Sequence, residues 1–67
     1  MWKVYKHNGQ YIMGELIGSH KTELAAIKKA EKKINFKFTV REEKNNEIRI
    51  WLDDVRHTPV GIIVHKL

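Results

Sequence analysis

Asp53 and Asp54 are adjacent aspartates, and together they could offer oxygen ligands to a Mg²⁺ ion that in turn holds a phosphate. A hard cation of that kind also needs further carboxylates or substrate phosphates, and neighbouring side chains in a strand leave from opposite faces. The pair therefore reads first as the end of a strand, with metal-dependent phosphate chemistry at Asp53 and Asp54 as a distant alternative. His7, His20, His57 and His65 lack the i, i+4 spacing with which a helix presents two imidazoles to one metal. Cysteine is absent, which removes disulfides, thiolate nucleophiles and thiolate metal sites together. No Gly-rich phosphate loop follows a strand, and no serine has a His and a carboxylate placed to activate it. The expectation is a non-enzymatic protein without cofactor or metal.

Charge neutralisation and base stacking are the chemistry better represented. Thirteen Lys and Arg against eight Asp and Glu leave a formal charge of +5, which suits nucleic acid, or an acidic or nucleic-acid-binding protein, as partner. Strand alternation places Lys3, Tyr5, His7, Lys37, Thr39, Arg41, Arg49 and Trp51 on one expected sheet face. Cations there would neutralise phosphates while Tyr5 and Trp51 stack on bases of any identity. Lys28, Lys29, Lys32 and Lys33 form a separate basic ridge, expected to act in support. A solvated surface that only keeps the protein soluble would carry many of the same residues.

The segment that must position these groups is Ser19 to Asn35. Its Leu24, Ile27, Ala30 and Ile34 fall on one side of a helix with Ala26 at the edge, and the four lysines lie opposite. Ser19 is the expected N-cap and Thr22 its rival, while Asn35 can take the left-handed conformation that stops a helix. Ahead of it, Trp2 to His7 alternates and is followed by Asn8-Gly9, a type I′ hairpin signal. A two-residue loop would set His7 against Gln10, Tyr5 against Ile12, Val4 against Met13 and Trp2 against Glu15, with the Trp2, Val4, Met13 face as core. Gly14 suggests a bulge and Gly18 ends the return strand, Gln10 to Ile17.

Beyond the helix, Phe36, Phe38 and Val40 alternate inward against Lys37, Thr39 and Arg41. Glu43 to Asn46 reads as a turn, and Glu47 to Asp53 returns with Ile48, Ile50 and Leu52 inward and Arg49 and Trp51 outward. After the break at Pro59, Val60 to His65 is a fifth strand, at a sheet edge or in a homodimer contact. The whole is one α+β domain spanning 1–67, of order ββαββ(β): an antiparallel sheet of four to five strands with one helix on one face. A lone helix leaves the second face open, and that face is the expected nucleic-acid surface. No apolar run approaches the ~20 residues of a membrane span and the N-terminus lacks a signal-like apolar core, so a cytoplasmic location without membrane contact is expected.

Two resemblances add to this. Ile50-Trp51-Leu52-Asp53-Asp54-Val55-Arg56-His57-Thr58-Pro59-Val60-Gly61 resembles the opening of the cyclic-phosphate-processing receiver family, whose first strand ends in L-D-D-x-R-x-x-P. That resemblance implies an acidic metal pocket at Asp53 and Asp54 with Arg56 nearby. The later strands and helices of a receiver are missing, and no activity is carried over. The overall layout, from Trp2-Lys3-Val4-Tyr5 through the helix to the second hairpin, resembles small bacteriophage accessory proteins, including anti-CRISPR proteins of ββαββ layout. This implies the alternative function, a stoichiometric inhibitor or accessory factor that binds and blocks a host or defence complex, and assigns no individual residue.

Overall fold

The computed structural model describes residues 1–7, 13–45, 47–52 and 60–65. Five strands and one helix follow in the order β1 (Trp2–His7), β2 (Met13–His20), α1 (Glu23–Ile34), β3 (Val40–Lys44), β4 (Glu47–Trp51) and β5 (Val60–His65). The strands form one sheet of spatial order β2-β1-β5-β4-β3, antiparallel at every pairing. This is the expected two-layer α+β arrangement.

Helix α1 begins where Thr22 Oγ1 accepts from the Ala25 amide at 3.3 Å, so the rival cap is the true one and Ser19 remains in β2. Glu23 sits at the positive end of the helix dipole, and Lys32 and Lys33 at the negative end. Asn35 closes the helix at φ 52° and ψ 48°, and the Phe36 amide donates to the Glu31 carbonyl at 3.1 Å. The buried centre of the helix is Ala26 and Ala30, with Ile27 and Ile34 partly covered, whereas Leu24 is 63% exposed. The apolar stripe is thus rotated towards Ala26.

The rotation follows from how closely the helix sits on the sheet. A Cβ added to Gly18 would lie 2.5 Å from the Ala26 carbonyl oxygen and 2.9 Å from the Ala30 amide nitrogen. Glycine in the strand and alanines on the helix therefore let two backbones meet almost without side chains between them. Around this contact Val4, Ile17, Ile48, Ile50 and Ile63 complete the buried core, and Trp2 and Phe38 pack against it. Gly61 plays the equivalent part beneath Phe38, whose ring would lie 2.9 Å from an added Cβ.

Four expectations are corrected. In the first hairpin β1 pairs Trp2 with His20, Val4 with Gly18, Tyr5 with Leu16 and His7 with Met13, so the return strand runs Met13–His20 and the two-residue register fails. Irregularities in the pairing on both sides of Tyr5 bring Ile17 and Gly18 together to the helix face. Asn8, Gly9 and Tyr11 lie outside the described residues. Second, β5 is neither an edge nor free for a strand-to-strand dimer, because β1 and β4 pair with it on both sides. Third, the strand after the helix begins at Val40, not Phe36. Fourth, Val40 is not inward: it pairs with Trp51 on the face away from the helix, while Arg41 pairs with the core residue Ile50. Alternation holds only along a regular strand, and residues 36–39 are a connection in which the Phe38 amide donates to the Glu31 carboxylate at 2.9 Å.

Candidate nucleic-acid interface

Directly paired residues of an antiparallel sheet share a face, so the register assigns each side chain to one of two surfaces. Away from the helix, one cross-strand row reads Leu16, Tyr5, Ile62, Arg49, Glu42, and the next reads Ser19, Lys3, Val64, Glu47, Lys44. Lys3, Tyr5, Arg49 and Trp51 are therefore brought to the open face as expected. The electrostatics of that face differ from expectation. Lys3, Lys44 and Arg49 stand among Glu42 and Glu47, and Arg49 Nε donates to Glu47 at 3.0 Å. Strand pairing has built a nearly charge-balanced surface.

Arg41 is not on that face. Its Nη2 and Nε donate to the Glu23 carboxylate at 2.7 and 3.0 Å, and Glu43 lies 3.7 Å from the same guanidinium. The hydrogen bonds to Glu23 raise the guanidinium pKa above its ordinary value and outweigh an opposing desolvation. Arg41 thus ties β3 to the start of α1, with two carboxylates around it.

Lys37 is also absent from the open face. The left-handed stop at Asn35, followed by the Phe36 and Phe38 amides bonding back to Glu31, folds the connection against the last turns of α1. Lys37 then lies with Lys28, Glu31, Lys32, Asn35 and Phe36 around a shallow depression of about 400 Å³. A neighbouring depression of about 420 Å³ shares Asn35 and Phe36 and adds Lys6, Glu15 and Lys33. Lys28, Lys29, Lys32, Lys33 and Lys37 are all exposed. Glu15 approaches Lys33 at 3.7 Å between two well-exposed side chains, a contact that water screens strongly. Phe36 is half-buried and meets Phe38 edge-on, with ring centroids 5.4 Å apart.

Phe36 is the residue that sequence reasoning missed. Its position one residue past the Asn35 stop is the signal that ties it to the helix end, because the amide just beyond a left-handed cap bonds back to the last turn, as the Phe36 amide does to the Glu31 carbonyl. Among the described residues no three His, Asp or Glu side chains are placed to share a metal ion, and no helix is long and apolar enough to cross a membrane. Asp53, Asp54 and Arg56 lie outside the described residues. Comparison with family models, curated proteins and solved structures finds no match to this chain.

Proposed function

We propose that this is a small non-enzymatic protein of the cytoplasm that binds single-stranded nucleic acid, gripping the backbone with the lysines of α1 and of the connection after it. The observation that carries this reading is the gathering of Lys28, Lys32 and Lys37 around one open depression with Phe36, while among the described residues the sheet face opposite α1 is close to neutral. Lys28 and Lys32 are four residues apart, as are Lys29 and Lys33, which is a rise of about 6 Å along a helix. Ammonium groups at this interval neutralise a backbone without reading its sequence, and the Phe36 ring offers a face on which a base of any identity stacks. Glu31 stands among the lysines, but its carboxylate is held by the Phe38 amide.

Fluorescence anisotropy with a labelled oligonucleotide tests the reading. Engagement of four or five lysines predicts that log affinity falls against log salt with a slope of about −3, or roughly a 50- to 100-fold loss between about 50 and 200 mM. The combined variant Lys28→Gln, Lys32→Gln, Lys37→Gln flattens that slope by about 2 units, and Lys44→Gln on the open face leaves it unchanged. Absence of binding at low salt, or an equal loss from Lys44→Gln, overturns the proposal.

A further inference from the structure

Beside the depression lined by Lys28, Lys32 and Lys37 lies the second one, of about 420 Å³, and the two meet at Phe36. Its volume lies within the range of about 300–1,000 Å³ that small-molecule sites occupy. The lining differs from that of the first. Ile17 of β2, which is buried, and Ile34 of α1, which is partly so, join the half-buried Phe36 ring as apolar surface, while Lys6, Glu15 and Lys33 supply charge. Packing of the last turn of α1 over β1 and β2 has brought these residues together. Glu15 and Lys33 decide what fits, because a carboxylate oxygen and an ammonium nitrogen 3.7 Å apart present an acceptor and a donor side by side. Both side chains are well exposed, so water screens their mutual attraction and each can turn to a ligand.

We propose that this second depression takes one unstacked guanine base of the bound strand. On the function proposed above, on which this rests, the strand leaves the lysines of the first depression, crosses Phe36 and enters the second. Apolar surface from Ile17, Ile34 and Phe36 receives the base plane, and the charged pair reads its edge. Guanine carries two adjacent donors, N1–H and the 2-amino group, that meet both oxygens of one carboxylate, and its O6 acceptor stands next to N1. Glu15 accepts from the two donors while Lys33 donates to O6. Adenine and cytosine offer one amino group beside a ring acceptor, and thymine or uracil offers a single N–H between two carbonyls. Guanine therefore makes one more hydrogen bond to a charged acceptor than any competitor. Solvent around both side chains reduces the advantage to a preference of about fivefold. Lys6, from β1, is left to neutralise the phosphate that follows the base.

Fluorescence anisotropy with labelled oligothymidine, and with the same strand carrying a single guanine at an inner position, tests the base site. The guanine strand should bind about fivefold more tightly, strands with adenine or cytosine there should stay within about twofold of oligothymidine, and Glu15→Gln should bring the guanine ratio close to one. Glu15 is well exposed, so this variant keeps the fold, which circular dichroism checks. The combined variant of Lys28, Lys32 and Lys37 should weaken every strand alike and keep the ratio, because those lysines meet phosphates and not the base. An arm that needs no strand is titration with guanosine monophosphate or uridine monophosphate, read by NMR at the amides of residues 15, 17 and 34–36. Only the guanine nucleotide should shift them. Equal affinity for the guanine and thymine strands, or a guanine preference that survives Glu15→Gln, overturns the base site and leaves strand binding standing. No strand binding, together with amides that guanosine monophosphate does not move, overturns both readings. A response to guanosine monophosphate in a chain that binds no strand assigns the depression to a free nucleotide and overturns its place on a strand.

Discussion

Replacing Gly18 with alanine puts the close approach of α1 to β2 to the test. The added Cβ would lie 2.5 Å from the Ala26 carbonyl oxygen, 2.9 Å from the Ala30 amide nitrogen and 3.1 Å from the Ala30 methyl group. Two of the three obstructing atoms belong to helix backbone and cannot rotate aside, so α1 must lift from the sheet by roughly an ångström to restore ordinary packing. Overpacking of this kind costs about 1–3 kcal/mol, and immovable partners place Gly18 at the upper end. Against this, removing a glycine from a strand recovers about 0.5–1 kcal/mol through the unfolded chain. The net loss is therefore about 2 kcal/mol. For a chain of 67 residues, total stability is roughly 3–10 kcal/mol, and a loss of 2 lowers the melting temperature by about 8–16 °C. Thermal unfolding followed by far-UV circular dichroism, with urea titration as a second measure, reads this directly. Adding Ala30→Gly to Gly18→Ala should recover little, because the carbonyl of Ala26 remains in the way. A Gly18→Ala protein as stable as wild type would refute the backbone-to-sheet contact, and with it the account of why Ala26 and Ala30 are the buried centre of the helix.

Other expectations follow from the caps and charges. Thr22→Ala removes the side-chain acceptor for the Ala25 amide and should cost about 1 kcal/mol in urea unfolding, while Ser19→Ala leaves the helix start unaffected. Glu31→Ala has effects of opposite sign. Loss of the acceptor for the Phe38 amide lowers stability by about 1–2 kcal/mol, and removing a negative charge from among Lys28, Lys32 and Lys37 raises oligonucleotide affinity about threefold. Arg41→Gln, by contrast, should leave the salt slope of binding where it was, since that guanidinium is already engaged by Glu23 and Glu43. A slope change equal to that of a ridge lysine would show that Arg41 serves the ligand instead.

Much of the fold was legible because it rests on local physics. The Asn35 stop, the alternation of Ile48 and Ile50 and the strand-forming run from Val60 each depend on residues within one turn or one strand length. The first hairpin register was not legible, since pairing irregularities on either side of Tyr5 shift it in a way that no alternation pattern records. Arg41 was misplaced for a related reason: period-two counting was carried through residues 36–38, where the Phe36 and Phe38 amides bond to Glu31 at the helix end, and bonding to β4 starts only with the Thr39 amide on the Trp51 carbonyl at 3.0 Å. Helix orientation presented the same difficulty. Leu24 is more hydrophobic than Ala26, yet Ala26 is buried, because close approach over Gly18 selects the smaller side chain.

The same division runs through the candidate site. Composition and periodicity alone determined a basic α+β chain of four to five strands and one helix, with lysines on the helix face turned from the core, because charge and amphipathic spacing are properties of the chain before it folds. Which cations meet was decided only by tertiary structure. Strand order buried β5 in the middle of the sheet, register set Arg49 beside Glu47, and the turn after Asn35 carried Lys37 from the sheet to the helix lysines. Pairings between residues far apart in sequence depend on how two segments dock, and docking is settled by packing across the core rather than by either segment alone.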